Sequence, residues 1–117
     1  MTPPGPGTAP QRGDLIWVNF HPQAGHEQAG RRPALVLTAE RFNRATGLLL
    51  AVPVTSKVKG YPLEYPLPPG LSIGGVLLVH QCRMLDWRAR NAEVIEAVPA
   101  ETVQAIRNML GTMLEES

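Results

Sequence analysis

The sequence predicts a mainly β protein, a compact and strongly bent β-barrel capped by a C-terminal helix. Short apolar or alternating segments follow one another at close spacing, separated by glycine, proline and polar residues, which is typical of small all-β folds. Near the C-terminus the apolar period changes from two residues to three and four, which indicates one helix packed on the sheet. A chain of 117 residues can form one such domain.

The first strand is predicted over Leu15–Phe20, where Ile16, Val18 and Phe20 alternate onto one apolar face. The strands that follow lie between loop-forming residues, over Ala34–Thr38, Leu48–Val52, Leu63–Tyr65, Val76–Gln81 and Glu93–Ala97. Pro53 is expected to end the third strand, because proline has no backbone N–H to donate to a ladder.

Two helical segments are predicted. Glu40 to Thr46 forms a helical turn that Gly47 stops, and Pro99 opens the longer C-terminal helix, since proline suits the first helical position. The apolar stripe of this helix consists of Val103, Ile106, Leu110 and Met113.

The ends of the chain differ in composition. Residues 1–12 contain four prolines and two glycines, which predicts a disordered tail, and a single domain is expected over 13–117. No signal peptide is visible, and no apolar run approaches the ~20 residues of a membrane helix. Because Cys82 is the only cysteine, an internal disulfide is excluded. These features predict a cytoplasmic protein without a membrane association.

Charge is distributed unevenly along the chain. Residues 26–60 contain six basic side chains against two acidic ones, whereas residues 91–117 contain five glutamates against one arginine. A basic half beside an acidic half suggests an anionic ligand on one face, although a solvated charged surface fits the same pattern.

The first polar cluster runs from Glu27 to Pro33, at the junction of a glycine-rich loop and the second strand. Arg32 at this junction offers a planar, permanently charged fork of donors that fits phosphate oxygens. A surface ion pair between an arginine and Glu27 remains the alternative.

The second cluster follows the third strand. Thr55 and Ser56 place two hydroxyls beside Lys57 and Lys59, a combination that can bind phosphate and stabilise charge on a phosphoryl group during transfer. An ordinary polar loop is the alternative.

The third cluster begins at Gln81 and includes Trp87, Arg88 and Arg90. Basic residues interleaved with an aromatic can bind single-stranded nucleic acid, but Trp87 also fits a core or dimer position. The three histidines have no metal-ligand spacing, and the chain has no phosphate-binding P-loop, CxxC, HExxH or GxSxG motif. Neither a metal site nor a cofactor is therefore predicted.

Taken in order, these clusters resemble the MazF/PemK family of toxin endoribonucleases. The similar segments run from Gly13 to about Leu114 and are Gly13–Val18, Glu27–Gly30, Arg32–Ala34, Pro53 with Thr55, Lys59–Pro62, Gln81 and Trp87–Arg90. The resemblance implies an SH3-like barrel of the CcdB/PemK type and a homodimer. It also implies metal-independent, sequence-specific cleavage of single-stranded RNA, and inhibition by a cognate antitoxin. The uneven charge of the chain predicts that this antitoxin binds the basic face through a flexible acidic segment.

The resemblance also assigns roles to individual residues. Arg32 and Thr55 match the family's catalytic pair, and Glu27 is expected to orient Arg32 or assist a proton transfer. The three polar clusters, rather than the resemblance, predict RNA contacts from Gln28, Arg31, Ser56, Lys57, Lys59, Gln81, Arg88 and Arg90. Arg31, His80 and the Pro/Gly-rich tail depart from the common pattern.

Two other functions fit a similar fold. A CcdB-like toxin poisons gyrase by binding, through an aromatic-containing helix tail, but the tail here, Met113–Ser117, has no aromatic residue. A non-catalytic RNA-binding barrel would need the basic surface but not Thr55. The nuclease prediction accounts for both Arg32 and Thr55.

Overall fold

The structure is a computed structural model that describes residues 8–20 and 30–115. In chain order the elements are β1 (Asp14–Asn19), β2 (Arg31–Val36), α1 (Glu40–Thr46), β3 (Leu48–Thr55), β4 (Glu64–Pro66), β5 (Val76–Leu78), a 3-10 turn (Val79–Gln81), β6 (Arg83–Asp86), β7 (Glu93–Ala97) and α2 (Ala100–Leu114). The predicted class, a mainly β fold with a C-terminal helix, is confirmed.

The strands form one bent antiparallel sheet in the order β4-β5-β3-β2-β1-β7. The long strand β3 has two neighbours on its other side: β6 pairs with residues 48–51, and β5 pairs with Val54 and Thr55. Within residues 8–20 and 30–115, no ladder joins β4 to β7. The sheet therefore curls toward closure without completing a hydrogen-bonded barrel.

Apolar side chains cover both faces of the sheet. Ile16, Val18 and Phe20 are all buried, as predicted, in a cluster that includes Trp87. The opposite face of β1 places Leu15 in a second cluster, which contains Val103 and Ile106 of α2. A sheet buried on both faces holds its strands rigidly, and this rigidity fixes the positions of polar side chains at the strand ends.

The prediction that Pro53 ends the third strand is wrong. Strand β3 continues through Pro53, which pairs with Ala34, to Thr55. The missing N–H is tolerated because β6 pairs only as far as Ala51 and β5 begins at Val54, so no ladder bond on that side requires a donor at residue 53. The strand β6 was not predicted.

Residues 8–12 of the predicted disordered tail are packed against the domain. Ala9 is buried in the first apolar cluster, the carbonyl of Pro10 accepts a hydrogen bond from the buried amide of Asn43, and the Arg12 guanidinium donates to the carbonyl of Leu37. This long-range packing orders the segment despite its composition. Residues 1–7 lie outside the described residues.

The helices follow the prediction closely. α1 ends at Gly47, which adopts the left-handed conformation with φ 73°. α2 begins at Ala100 with Pro99 as its N-cap. Its stripe is buried at Val103 and Ile106 but leaves Met113 exposed. Among the described helices, none combines the length and the apolar character needed to cross a membrane.

Candidate active site

Arg32 lies where three surface hollows meet. It pairs with Val18 in the β1–β2 ladder, its side chain is exposed, and it lines each of the three hollows. A rigid central strand therefore presents a permanent positive charge to a concave surface, the arrangement expected of an anion site.

The largest of these three hollows, called the main hollow below, has a volume of about 430 Å³. Its lining consists of Trp17, Arg32, Pro33, Val54, Thr55, Ser56, Lys57, Ser72, Ile73 and Gly74. Arg32, Lys57 and the hydroxyls of Thr55 and Ser56 make one part cationic and polar, whereas Trp17 and Ile73 make another part apolar. A nucleotide, with its charged phosphate and flat apolar base, has the same division of character.

The two smaller hollows extend from Arg32 in other directions. One, of about 210 Å³, is lined by Arg32, Thr55, Lys57, Lys59, Tyr61, Glu64, Leu78 and Gln81. The other, of about 250 Å³, is lined by Phe20, Arg32, Pro53, Gln81 and Arg83. The structure thus brings together Arg32 and Thr55 in two hollows, with Lys57 in both, and Ser56, Lys59 and Gln81 beside them.

Thr55 is held at the end of β3 by contacts on both sides. Its hydroxyl oxygen accepts the Lys57 N–H at 3.1 Å, which leaves the hydroxyl hydrogen available to donate. Gly75 packs closely against the Thr55 backbone, and a Cβ at position 75 would lie 2.3 Å from the Thr55 carbonyl oxygen. Gly75 also has a φ of +118°. Only glycine fits this approach without a shift of the strand end.

Glu64 shapes the loop that carries the lysines. Its carboxylate accepts the backbone N–H groups of Lys59 and Gly60, the latter at 2.8 Å. The side chains of Lys57 and Lys59 remain exposed. The loop therefore has a defined backbone while its two ammonium groups stay accessible to an anion.

Arg31 has different surroundings from Arg32. Its guanidinium forms an ion pair with Glu93 of β7 and donates to the Asn19 side-chain oxygen at 3.2 Å. It lines none of the three hollows. Arg31 joins three neighbouring strands and is not brought to the predicted RNA site.

Arg88 and Arg90 are likewise separate from the hollows around Arg32. Arg88 lies over the Trp87 ring at 4.3 Å, and Arg90 donates to the carbonyl oxygens of Asn19 and Phe20. Trp87 itself is buried, and its ring N–H donates to the Asn43 carbonyl at 2.8 Å. The core interpretation of Trp87 is therefore confirmed. Glu27 and Gln28 lie outside the described residues.

Sequence reasoning missed Trp17 and the 72–74 segment. A signal for Trp17 existed, because an aromatic residue between Ile16 and Val18 must face away from their buried side, and the structure leaves it 38% exposed. No comparable signal marks residues 72–74, since their place beside Thr55 depends on long-range contacts.

The chain was compared with known families and structures. A family model described as "PemK-like, MazF-like toxin of type II toxin-antitoxin system" matches residues 11–114. The chain belongs to this family. The match spans both segments that carry Arg32 and Thr55, as well as the C-terminal helix.

Individual members of the PemK/MazF family are similar over nearly their full length. The endoribonuclease toxin MazF of Escherichia coli K12 is 44% identical over 90% of this chain and 94% of that protein. A crystal structure of MazF from Deinococcus radiodurans is 53% identical, with a TM-score of 0.82 over 91% of this chain and 96% of that chain. A MazE–MazF crystal structure from the same organism has 50% identity and a TM-score of 0.83, covering 93% and 99%.

Proposed function

We propose that this chain is the toxin of a toxin–antitoxin pair, an endoribonuclease of the MazF type that cuts single-stranded RNA at specific sequences with Arg32 and Thr55 as its catalytic pair. The observation that carries the proposal is that these two side chains line the same two hollows, together with Lys57. Family membership and the 44% identity to an endoribonuclease toxin support the activity.

The proposed reaction uses the nucleophile of RNA itself. The 2′-hydroxyl attacks the adjacent phosphorus, the bond from phosphorus to the 5′-oxygen breaks, and the products carry a 2′,3′-cyclic phosphate and a 5′-hydroxyl. One proton leaves the 2′-oxygen and one reaches the departing 5′-oxygen. The enzyme must orient the attack and neutralise the pentacoordinate transition state.

Arg32 and Thr55 are suited to the second task. The guanidinium donates charged hydrogen bonds to the phosphorane oxygens, and the Thr55 hydroxyl, positioned through its bond from the Lys57 N–H, donates to the same centre. Because Arg32 is paired with Val18 of β1 and Thr55 with Val76 of β5, the donors need no reorganisation as charge develops.

Proton transfer is assigned separately from charge stabilisation. Arginine is a poor base because its pKa lies above ~12. We therefore propose that Glu27 either orients Arg32 or assists a proton transfer. The pH dependence of kcat in a Glu27→Gln variant distinguishes these roles, because only a proton-transfer role makes the profile lose an ionisation.

Cleavage is proposed to be independent of metal ions. The positive charge at the hollows comes from Arg32, Lys57 and Lys59. The described part of the chain contains no group of three or more His, Cys, Asp or Glu residues placed to hold a metal ion. Arginine and lysine then take the charge-neutralising role that a divalent cation has in other nucleases.

The chain is proposed to act as a homodimer. Large apolar side chains are exposed at the β3–β6 edge and at the end of α2, where Leu48, Met84, Met113 and Leu114 are 38%, 45%, 44% and 81% exposed. Apolar side chains grouped in this way are typical of protein contact surfaces, and sedimentation of the purified chain tests the proposal directly.

The test of the function is incubation of the purified chain with single-stranded RNA in EDTA, followed by mapping of both product ends. We expect cyclic phosphate and 5′-hydroxyl termini at defined sequences. RNA that is bound but not cut would support a non-catalytic barrel, and cleavage that requires added magnesium or manganese would contradict the metal-independent mechanism.

A further inference from the structure

One carboxylate joins the two ends of the curled sheet. Glu96 of β7 accepts three hydrogen bonds at a single oxygen, from the Ser72 N–H at 2.8 Å, the Ser72 hydroxyl at 2.6 Å and the Ile73 N–H at 3.3 Å. Ser72 and Ile73 belong to the loop between β4 and β5, at one end of the sheet, and β7 is the strand at the other end. Glu96 therefore bridges the gap where strand pairing stops.

A β-bulge places Glu96 for this contact. In the β1–β7 ladder Leu15 pairs with Glu96 but Ile16 pairs with Val94, so Ile95 is an extra residue on β7. A bulge of this kind bends the strand and redirects its side chains. Glu96 is thereby directed at the loop beyond the edge of the sheet.

The loop that Glu96 holds is also a wall of the main hollow. Ser72, Ile73 and Gly74 line this hollow opposite Arg32 and Lys57. Glu96 accepts from both backbone N–H groups at residues 72 and 73 and from the Ser72 hydroxyl, so these donors are not free to bind a ligand in the hollow. The loop continues to Gly75, whose carbonyl accepts a hydrogen bond from the Leu67 N–H and so closes the loop. Gly75 also lies against the backbone of Thr55.

We propose that Glu96 is a positioning residue that keeps the main hollow open at the width of its RNA ligand, by fixing the 72–74 wall at a set distance from Arg32 and Thr55. The inference rests on the proposed function, since it assigns the hollow to a nucleotide next to the cleaved phosphate. Glu96 itself contacts neither the phosphate nor Thr55. Its loss lets the wall move, which weakens RNA binding in the ground state and the transition state alike.

The test compares Glu96→Ala, Glu96→Gln and Glu101→Ala in the full chain, using an RNA oligonucleotide that the wild-type chain cleaves. Glu101 is exposed in the first turn of α2, so Glu101→Ala removes the same charge without touching the loop. We expect Glu96→Ala to raise KM roughly tenfold with kcat within about threefold, the pattern of lost uniform binding. Glu96→Gln should keep KM within about threefold because its amide oxygen still accepts.

Hydrogen exchange provides a readout that does not depend on activity. The amides of residues 72 and 73 should exchange faster in Glu96→Ala than in the wild type or Glu101→Ala, while the melting temperature changes little. If Glu96→Ala fails to fold, Ser72→Ala removes the hydroxyl bond alone and should raise KM by about threefold.

Several results would overturn the proposal. These are an unchanged KM in Glu96→Ala, a loss confined to kcat, or a Glu96→Gln variant as impaired as Glu96→Ala. A wild-type chain that cut no RNA would refute the proposed function instead. In that case faster exchange at residues 72 and 73 in Glu96→Ala would still support the contact, and unchanged exchange would refute it.

Discussion

Two consecutive arginines on β2 have opposite surroundings. Arg31 is paired with Glu93 and Asn19, and it joins the ends of β1, β2 and β7. Arg32 is exposed at the meeting point of three hollows beside Thr55. Because side chains alternate along a strand, one residue step separates a charge used for strand cohesion from a charge available to a ligand. Residue type alone therefore does not distinguish the two arginines, whereas their positions in the strand decide which of them lines the hollows.

The largest difference between the Arg32 site and the Arg31 contacts is expected in the rate of catalysis. Arg32→Ala and Thr55→Ala should each lower kcat on the order of 10²–10³-fold, because each removes a preorganised donor from a developing charge. The melting temperature should remain close to that of the wild type. Steady-state cleavage of a fluorogenic oligonucleotide measures the loss.

Arg31→Ala is the matched control. Glu93 is 73% exposed, so the ion pair itself should contribute at most about 1 kcal/mol of stability. The hydrogen bond to Asn19 is lost as well and should add on the order of 1 kcal/mol, while most of the activity should remain. An Arg31→Ala variant as inactive as Arg32→Ala would reverse the assignment of the two arginines.

A smaller loss of activity is expected from Gly75→Ala. A Cβ at this position would collide with the Thr55 carbonyl oxygen, so the end of β3 must shift and kcat should fall roughly 10- to 100-fold, since small displacements of catalytic groups have effects of this size. Gly111→Ala is the control, because a Cβ there meets nothing within 4 Å and alanine favours the helix by about 1 kcal/mol. Equal activity in the two variants would show that the position of Thr55 is not critical.

The antitoxin should bind the surface that carries Arg32, Lys57 and Lys59 through charge attraction. An acidic flexible segment that covers the Arg32 side would associate quickly at low ionic strength and several-fold more slowly in high salt, because salt screens its attraction to Arg32, Lys57 and Lys59. Stopped-flow association measured over a range of salt concentrations tests this expectation, and hydrogen exchange should show protection at residues 55–61. Salt-independent association, with protection only on α2, would place the inhibitor elsewhere.

The smallest effect concerns the stability contributed by Asp14, the first residue of β1. Burial raises the pKa of Asp14 above its usual value, despite the opposing hydrogen bond from the Gln11 N–H. Because the folded-state pKa is the higher one, the stability linked to this group is present in acid and is lost as pH rises through that pKa. Asparagine at position 14 can still accept that bond. The free energy of unfolding of Asp14→Asn, relative to that of the wild type, should therefore be higher near neutral pH than near about pH 3. Denaturant titrations at the two pH values measure the difference, and an advantage that grows in acid would contradict this sign.

The sequence predicted those features that local pattern controls. The apolar alternation of β1, the end of α1 at Gly47 and the polar residues after β3 all follow from neighbours in the chain. The ordered contacts of Ala9 and Pro10 with the α1 region could not be predicted in this way, because their partner Asn43 is distant in sequence. The continuation of β3 through Pro53 depends on which strands lie beside it.

The candidate site likewise contains residues that local sequence pattern predicts and residues that only long-range contacts place there. Arg32 and Thr55 could be proposed from the sequence because each lies near the end of a recognisable strand and matches a family segment, and Lys57 because it lies in the polar loop that follows Thr55. The alternation of β1 marked Trp17 as facing away from the buried side, but only the bend of the sheet places it in the same hollow as Thr55. The 72–74 wall could not be predicted, since its position depends on long-range contacts such as the one with Glu96. Arg31, Arg88 and Arg90 each have a partner within the fold and line none of the three hollows, so their contacts with RNA stay a prediction.

The most direct test is single-turnover cleavage of a defined RNA in EDTA by the wild type, Arg32→Ala and Arg31→Ala, with the product ends identified. The account predicts 2′,3′-cyclic phosphate and 5′-hydroxyl ends, a rate lowered on the order of 10²-fold or more in Arg32→Ala, and a rate close to the wild type in Arg31→Ala. Cleavage that requires a divalent metal, or an Arg32→Ala variant as active as the wild type, would contradict it.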